Sequence, residues 1–417
     1  MRFSMIFEAQ LASPTPDRER QLLRDCVEQA VAAEAAGFDG VWAVEHHSLT
    51  RYSHMSAPEI FLAAVAARTS RIRIGHGAVC MPFNFNYPTR VAERIAMLDV
   101  LSGGRLDVGA ARGATAQEAA LANVDPERTY AEIEEALRII GRAWQEETFE
   151  WHGALLDIAA PEGNERHTIL PRPVQRPHPP LFLACTKPDT VRRAASYGVG
   201  ALIFGFAGLD SVRLQKRMHA ETVATRTGEE FVSSVVNDSF IALAPTIVLD
   251  DAAEARRVGA RGQRFFGESI GYWGGRRPTP AGDHTHDDDN IAYMRRLAAE
   301  MTARYDRGEL PMVKDRSLAA ANFNIDHAYG DAETAIDYVR ELEAAGVDEV
   351  MCLIQMGTVE QEICLETIRQ WGENVIPRFR PPGTADPSAR PGIRAAQEAL
   401  AATASATASA SAPVVSA

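Results

Sequence analysis

The chain alternates short apolar stretches with amphipathic stretches from its first residues onward. Residues 2–7 form an apolar run of strand length, and apolar positions from 22 to 31 then recur at helical spacing. Gly37 ends that predicted helix, and a second apolar run follows at 40–44. Strands that alternate with helices form a parallel sheet, because the chain must cross over between parallel strands. We therefore expect an α/β fold.

The same alternation continues to about residue 373 and gives about eight strand–helix units. That number fits a (β/α)8 barrel, or TIM barrel, better than an open doubly wound sheet. A dinucleotide-binding domain is disfavoured, since no GxGxxG sequence follows the first strand. The predicted strands lie at 2–7, 40–44, 72–75, 106–110, 181–184, 201–204, 235–243 and 348–354. The predicted helices lie at about 22–31, 57–68, 91–101, 133–144, 189–197, 209–226, 290–306, 331–345 and 359–373.

Two segments interrupt this pattern. Residues 267–315 are rich in Gly, Pro, His and Asp, and a long irregular segment inside a compact domain is typical of a lid or of disorder. Its His284, His286 and the three aspartates that follow resemble a metal-binding set, but a solvated loop is the stronger interpretation, and we predict no metal site. Residues 381–417 form an Ala/Ser/Pro-rich tail that cannot bury enough apolar surface to fold. We expect one barrel domain over 1–380 with a lid insertion, and a disordered tail.

The composition argues against several kinds of partner. The 417 residues carry a formal net charge of −13, which disfavours nucleic acid and anionic membranes. No apolar stretch approaches the roughly 20 residues that span a bilayer, and no signal-peptide pattern opens the sequence. The cysteines are odd in number and lack CxxC spacing, which disfavours a disulfide framework and a zinc site. They are Cys26, Cys80, Cys185, Cys352 and Cys364. We expect a protein of the reducing cytoplasm.

Candidate chemistry appears where the second predicted strand ends. The stretch FDGVWAVEHHSLT places Glu45, His46 and His47 directly after the apolar run. In an α/β barrel the C-terminal ends of the strands carry the catalytic groups. A histidine can give or take a proton near neutral pH, since its ordinary pKa is about 6.5. The alternative is that both histidines are structural and bonded within the protein.

Four stretches in order resemble the bacterial luciferase-like flavin monooxygenases over about residues 2–380. The first is FDGVWAVEHHSLT, and the second is IRIGHGAVCMPFNFNYPTRVAERIAMLDVLSGGRLDVGAARG. The third is PRPVQRPHPPLFLACTKPDTVRRAASYG, and the fourth is GTVEQEICLETIRQWGENVIPRF. An isolated EHH carries little weight, whereas four such stretches at barrel-like spacing are specific.

The resemblance implies a (β/α)8 barrel that takes reduced FMN from a separate NAD(P)H-flavin reductase. Oxygen would add to the reduced flavin, and the resulting C4a-hydroperoxyflavin would oxygenate a small organic substrate. Such a protein must hold the flavin ring, exclude water and control protons. The resemblance also implies a homodimer formed through the 57–101 region.

The resemblance assigns roles to several residues. His46 would manage protons near the flavin, and Glu45 and His47 would orient it or line the pocket, in a structural or a direct role. Gly77 and Ala78 would form a non-prolyl cis peptide beneath the flavin ring. A plain tight turn at these two residues is the alternative.

The flavin phosphate would bind farther around the barrel. Arg112 would pair with the phosphate, for which a guanidinium offers bidentate geometry. Thr190, at the start of a helix, would place its hydroxyl on the same phosphate, where free N–H groups also point. Lys187 either adds charge to this site or is solvated.

Two departures from the family pattern limit the inference. Ala111 stands where luciferases carry a reactive cysteine, so we do not expect light emission. Cys185 and Thr186 replace a glutamate of the third stretch. The predicted lid would set substrate choice. Arg276 and Arg277 form a close pair of cations in it but no larger cationic cluster, so a strongly anionic substrate is not favoured.

The sequence thus predicts an FMN-dependent two-component monooxygenase. Oxygen transfer could be nucleophilic, onto an aldehyde or ketone, or electrophilic, onto an amine or sulfur centre. An F420-dependent oxidoreductase on the same barrel is the alternative, and a non-catalytic flavin-binding subunit is a third hypothesis.

Overall fold

The computed structural model describes residues 1–204, 206, 208–275, 279–284, 289–311, 315–380, 393–396 and 398–399. Its strands are β1 (Arg2–Phe7), β2 (Gly40–Ala43), β3 (Arg73–Cys80), β4 (Leu106–Ala111), β5 (Trp151–His152), β6 (Asp157–Ile158), β7 (Leu181–Cys185), β8 (Gly200–Ile203), β9 (Val235–Asn237), β10 (Phe240–Val248), β11 (Ala328–Gly330), β12 (Glu349–Leu353) and β13 (Ile393–Ala395). Its helices are α1 (Pro16–Ala35), α2 (Pro58–Arg68), α3 (Pro88–Leu101), α4 (Ala116–Leu121), α5 (Thr129–Gln145), α6 (Pro188–Tyr197), α7 (Leu209–Thr225), α8 (Ala252–Trp273), α9 (Asn290–Asp306), α10 (Ala332–Ala344) and α11 (Gln361–Gln370).

Eight of the strands form a closed parallel barrel. Their order around the ring is β1, β2, β3, β4, β7, β8, β10 and β12, and β12 pairs with β1. At the closing seam, Ser4 of β1 lies between Gly40 of β2 and Met351 of β12. The expected TIM barrel is therefore confirmed.

Aromatic side chains fill the barrel near the N-terminal ends of its strands. The Trp42 ring meets the Phe182 ring edge to face at a centroid distance of 5.2 Å, and Trp42 Nε1 donates to Glu349 Oε1 at 3.1 Å. Glycines make room for both rings. A Cβ on Gly75 would lie 2.3 Å from the Trp42 ring, and one on Gly200 would lie 2.2 Å from the Phe182 ring. This packing closes the barrel at one end and leaves the opposite, C-terminal end for a cavity.

Local sequence signals fix the position of α6 beside β7. The helix begins at Pro188, whose ring suits the first helical position, and ends at Gly198, which adopts φ +69°. Val191 and Ala194 are buried on its inner face. Only Thr186 and Lys187 consequently separate the C-terminal end of β7 from the N-terminus of α6.

Several elements differ from the prediction, among them one strand that is longer, one that is divided and one helix that was not predicted. β3 runs to Cys80 rather than ending at 75, and the predicted strand 235–243 is divided into β9, outside the barrel, and β10, within it. The long helix α8 extends into the predicted irregular segment. The sequence pattern conceals α8 because glycines lower helical propensity. In the structure Gly259 is a packing position, since a Cβ there would lie 2.4 Å from the Tyr329 ring.

The insertion and the tail are described in part. Within 267–315, α9 confirms the predicted helix, whereas Arg276, Arg277 and residues 285–288 lie outside the described residues. In the predicted tail, β13 pairs antiparallel with β9. Most of the remaining tail lies outside the described residues, and its disorder stays a prediction. No described helix is long and apolar enough to cross a membrane.

Candidate active site

A cavity of about 420 Å³ opens at the C-terminal end of the barrel. Residues that follow five of the barrel strands line it, namely Glu8 after β1, His46 after β2, Arg112 after β4, Lys187 after β7 and Phe206 after β8. Loops from every strand converge at this end of a (β/α)8 barrel, which is why catalytic groups collect there. The cavity is therefore the candidate active site.

His46 lies in this cavity with both ring nitrogens directed at carboxylates. Its Nδ1 is 2.8 Å from Glu118 Oε1, and its Nε2 is 3.6 Å from Glu8 Oε2. The ring also meets the Tyr52 ring edge to face at a centroid distance of 5.2 Å. Because Nδ1 donates to Glu118, Nε2 is the nitrogen that can exchange a proton with a bound molecule.

Glu118 is buried and anchored at the start of α4. Its Oε2 accepts hydrogen bonds from the backbone N–H groups of Ala114 at 3.1 Å and Thr115 at 2.9 Å. The Thr115 hydroxyl accepts in turn from the backbone N–H of Glu118, which completes a capping box. Sequence reasoning missed Glu118, although the TAQE stretch at 115–118 has the T-x-x-E spacing of such a box.

The surrounding carboxylates raise the pKa of His46. Burial alone lowers this pKa, but the hydrogen bond to Glu118 and the charges of Glu8, Glu118 and Glu45 more than offset burial. For Glu118, burial raises the pKa, and the hydrogen bonds from His46 and Thr115 bring it below its ordinary value. The pair therefore favours an imidazolium beside a carboxylate.

Glu8 is held quite differently from Glu118. Its side chain is 7% exposed, and its Oε2 has no hydrogen-bond partner among the described residues. Burial raises the pKa of Glu8 to about 7, against the attraction of His46 and with the repulsion of Glu118. Sequence reasoning missed Glu8 as well. The available signal was its place directly after a barrel strand, the same signal that singled out Glu45.

Glu45 and His47 face each other rather than His46. Glu45 Oε1 is 2.9 Å from His47 Nε2, and Glu45 Oε2 accepts from the backbone N–H of Cys80 at 2.8 Å. Ligand atoms of these three residues lie within 4.8 Å of one another, and their mutual hydrogen bonds account for that closeness. The structure gives the orienting role to Glu118, while Glu45 lines the cavity. Contact of Glu45 with a cofactor stays a prediction.

The Gly77–Ala78 bond is a non-prolyl cis peptide, as expected from the sequence, and the alternative of a plain turn is wrong. It lies within β3, where the register against β4 shifts between His76 and Val79. Both residues line the cavity. These two residues form the floor of the cavity. On the neighbouring strand β4, a Cβ on Gly109 would lie 3.1 Å from Ala78 Cβ, so only small side chains fit at this part of the floor.

Arg112, Lys187 and Thr190 lie together on the wall formed by β4, β7 and α6. Neither the Arg112 guanidinium nor the Lys187 ammonium has a hydrogen bond or ion pair to another described residue. The Thr190 hydroxyl donates to the backbone carbonyl of Lys187 at 2.6 Å, within the first turn of α6. The structure thus brings two free cations and a helix N-terminus to one wall of the cavity.

The wall formed by β8, β10, β12 and α8 is apolar. Phe206 and Phe266 meet edge to face at a centroid distance of 4.9 Å, and Ile270, Leu243 and Leu353 extend the surface. Sequence reasoning did not place α8 here, because the helix itself was not predicted. The cavity therefore has a cationic wall and an apolar wall on different sides of the barrel.

The family model of the luciferase-like monooxygenases matches residues 1–349. The chain belongs to the luciferase-like monooxygenase family. The match covers well over half of the sequence and confirms the resemblance that the four stretches indicated. It also confirms the expected class of enzyme, an oxidoreductase of the monooxygenase type.

Relatives of this luciferase-like monooxygenase fall into two groups. The oxygenase component of flavin-dependent trigonelline monooxygenase from Acinetobacter baylyi is 25% identical over 365 residues, covering 86% of this chain and 90% of that protein. An F420-dependent glucose-6-phosphate dehydrogenase from Amycolatopsis mediterranei is 28% identical over 217 residues, covering 51% of this chain and 62% of that protein. One relative is named as flavin-dependent and the other as F420-dependent, so these relatives alone do not identify the cofactor of this chain.

A solved structure shares the fold of this luciferase-like monooxygenase. It is the oxygenating constituent of 3,6-diketocamphane monooxygenase from Pseudomonas putida, a type II Baeyer–Villiger monooxygenase in complex with FMN. The TM-score is 0.66 at 19% identity, with 91% of this chain and 98% of that chain covered.

Proposed function

We propose that this chain is the oxygenase component of a two-component FMN-dependent monooxygenase. It would take reduced FMN from a separate NAD(P)H-flavin reductase and use O2 to oxygenate a small organic substrate. The observation that carries the proposal is the pairing, in one cavity, of two free cations on one wall with His46 between two carboxylates on another.

The cationic wall suits a terminal phosphate. Arg112 can present two N–H donors to phosphate oxygens, and Lys187 adds a point charge. The N-terminus of α6 adds the positive end of a helix dipole. The Thr190 proton is engaged with Lys187 O, so its hydroxyl must turn to donate to a phosphate. FMN carries such a phosphate at the end of its ribityl chain, and this phosphate would bind here.

The floor and the apolar wall suit a flat aromatic ring. Gly77 and Ala78 present little more than backbone, and the Phe206 and Phe266 rings add apolar surface to the same cavity. Bound reduced FMN would supply the two electrons that send one oxygen atom of O2 to the substrate and the other to water. Exclusion of water prevents the release of hydrogen peroxide before the substrate is oxygenated.

His46 would manage protons in this reaction. Glu118 fixes the Nδ1–H tautomer and favours the protonated ring, so Nε2 can hold a proton near neutral pH. Nε2 could then donate it to an oxygen atom in the cavity and recover it afterwards. Positioned acid–base groups of this kind contribute about 10²- to 10⁴-fold in rate.

An F420-dependent oxidoreductase is the alternative, supported by the match to F420-dependent relatives. A direct test is anaerobic titration of the purified chain with reduced FMN and, separately, with reduced F420, followed by flavin absorbance and fluorescence. We expect saturable binding of reduced FMN and slower oxidation by air than for free FMN. Binding of F420 alone would overturn the proposal.

A non-catalytic subunit is disfavoured, since His46 and Arg112 both face the cavity. The variant His46→Ala separates the two possibilities. A catalytic role predicts a loss of turnover of about 10²- to 10⁴-fold, with little change in reduced FMN affinity. Unchanged turnover would support the subunit hypothesis instead.

The proposal includes a homodimer. Helices α2 and α3 expose large apolar side chains, among them Ile60 at 71%, Leu101 at 67% and Met97 at 54% exposure. A second copy of the chain would cover them. Light scattering should give the mass of a dimer for the native chain and that of a monomer for Leu101→Glu. A native monomer would overturn this part of the proposal.

A further inference from the structure

Glu8 presents an unusual buried carboxyl group to the cavity. Buried polar atoms in proteins are nearly always hydrogen-bonded, yet Glu8 Oε2 has no partner among the described residues. The separation of 3.6 Å from His46 Nε2 is too long for a hydrogen bond. Because Glu8 lines the cavity, a molecule bound there can supply the missing partner.

The surroundings of Glu8 favour the protonated form of its carboxyl group. The titratable groups that face it are His46, Glu118 and Tyr52. Burial raises the pKa of Glu8 to about 7, the attraction of His46 opposes the rise, and Glu118 adds to it. A neutral carboxylic acid is a hydrogen-bond donor, whereas a carboxylate is an acceptor. Below about pH 7, Glu8 therefore offers an O–H group to the cavity.

Tyr52 offers a second O–H group to the cavity, and both its ring and the Glu8 carboxyl lie next to His46. The phenol ring is clamped edge to face between His46, at 5.2 Å, and Phe266, at 5.3 Å. Its hydroxyl has no hydrogen bond to another described residue, and Tyr52 lines the cavity. Burial and the charges of Glu8 and Glu118 raise its pKa well above the ordinary value, so the phenol stays protonated.

These two donors lie beside the apolar wall and away from the cationic wall. Glu8 follows β1, which neighbours β12 in the barrel, and Leu353 of β12 belongs to the apolar wall. Lys187 follows β7, which is opposite β1 in the ring of eight strands. A molecule seated against the apolar wall would reach these O–H donors on the side of the barrel opposite Lys187.

We propose that Glu8 and Tyr52 bind the carbonyl oxygen of a neutral, apolar ketone or aldehyde. A carboxylic acid and a phenol in an apolar site are a known arrangement for holding a carbonyl oxygen, because both donate without adding charge. Their hydrogen bonds strengthen as negative charge grows on that oxygen, which favours nucleophilic oxygen transfer. The inference rests on the proposed monooxygenase function for its chemistry, but not for its binding site.

The reaction that this site would assist is balanced for a ketone. One C–C bond and the O–O bond break, and two C–O bonds form, giving an ester. The second oxygen atom leaves as water with two electrons and two protons from reduced flavin. With an aldehyde the C–H bond breaks in place of the C–C bond, and one C–O bond and one O–H bond form, giving a carboxylic acid, while the second oxygen atom again leaves as water.

The test compares two probes of similar shape, cyclohexanone and methylenecyclohexane, of which only the ketone accepts a hydrogen bond from O–H donors. Apparent dissociation constants come from saturation-transfer NMR, without flavin and with saturating reduced FMN under anaerobic conditions. At pH 6 the native chain should favour the ketone by about tenfold, the value of two modest hydrogen bonds. Equal binding of the two probes would overturn the inference.

Three variants make the test specific. Glu8→Leu should abolish most of the preference, and Tyr52→Phe should reduce it by about fivefold or less. Glu8→Gln keeps an N–H donor and should retain the preference. In the native chain the preference should fall above about pH 7 as Glu8 ionises, whereas in Glu8→Gln it should not. If Glu8→Leu fails to fold, this contrast in pH dependence decides the matter.

Titration of the same variants with reduced FMN separates the two proposals. Unchanged FMN affinity with a lost ketone preference supports both. A ketone preference in a chain that does not bind FMN upholds the donor pair and overturns the proposed function. Weaker FMN binding in Glu8→Leu, with the ketone preference intact, would mean that the donors serve the cofactor and would overturn the inference.

Discussion

The two ends of the barrel treat buried charge in opposite ways. Near the N-terminal end, Arg73 forms a bidentate ion pair with Asp107, at 2.9 Å and 2.7 Å, and also donates to Gln175 Oε1 at 3.1 Å. At the C-terminal end, His46 has one close carboxylate partner, and Glu8 Oε2 has no hydrogen-bond partner in the described part of the chain.

The difference separates stability from function. A buried charge that is paired and fully hydrogen-bonded gains nothing from a ligand, and its removal harms the fold. A buried acid without a partner costs stability in the free protein and gains a partner when a ligand binds. The N-terminal end of the barrel accordingly stabilises the fold, and the C-terminal end holds polar groups that can bind a ligand.

The largest predicted effect is on the free energy of unfolding, when the Arg73–Asp107 pair near the N-terminal end of the barrel is broken. Asp107→Ala leaves the Arg73 guanidinium buried without its counter-charge, which should lower the free energy of unfolding by about 3–5 kcal/mol. Urea denaturation measures this value. The control is Asp337→Ala, which removes the exposed partner of Arg340 and should change stability by at most about 0.5 kcal/mol. Similar losses for both variants would contradict the contrast drawn between buried and exposed pairs.

Replacement of Glu8, at the C-terminal end of the barrel, should change stability in the direction opposite to replacement of Asp107. The pKa of Glu8 rises on folding from 4.5 to about 7, so the folded state binds more protons than the unfolded state in that window. Stability of the native chain should therefore fall as the pH rises from about 4.5 to 7. Glu8→Gln removes this loss and should be more stable than the native chain at pH 8, relative to pH 4.5, by about 3 kcal/mol.

Urea denaturation at the two pH values provides the measurement for Glu8→Gln. The matched control is Glu343→Gln, an exposed glutamate on α10, which should show little pH-dependent difference from the native chain. If the stability difference between Glu8→Gln and the native chain is the same at pH 8 as at pH 4.5, the ionised carboxylate is satisfied in the fold and the prediction is wrong.

The sequence predicts some parts of the C-terminal end of the barrel better than others, for physical reasons. His46 and Arg112 were accessible because each follows a recognisable apolar strand. Glu118 was not, because its role depends on α4, a helix of 6 residues that carries too few turns to show periodicity. The apolar wall was missed along with α8, whose glycines serve packing rather than turns.

Pairings across the barrel lie beyond a single sequence. His46 and Glu118 are 72 residues apart, and their contact depends on how the loops after β2 and β4 fold toward each other. Strand alternation fixes the order of elements but not these loop conformations. The lack of a hydrogen bond to Glu8 Oε2 among the described residues is likewise a property of its neighbours, which no local pattern encodes.

The cationic wall provides a third test. Arg112→Met should weaken binding of reduced FMN by about 10- to 100-fold, since hydrogen bonds to charged groups contribute about 1.5–3 kcal/mol. Binding of reduced riboflavin, which lacks the phosphate, should not change. Anaerobic fluorescence titration measures both, with Arg340→Met as a control for loss of a surface cation. Equal weakening for the two flavins would place Arg112 away from the phosphate.

The smallest predicted effect distinguishes the two carboxylates of His46. Glu118→Gln removes both a charge and a strong hydrogen-bond acceptor from Nδ1, so the pKa of His46 should fall. Glu8→Gln removes a charge but no hydrogen bond, so the pKa should fall less. Histidine ring NMR over a pH series measures both shifts, with Glu343→Gln as the control. A larger fall in Glu8→Gln would mean that Glu8, rather than the capping-box carboxylate, determines the charge of His46, and Glu8 could not then remain free for a ligand.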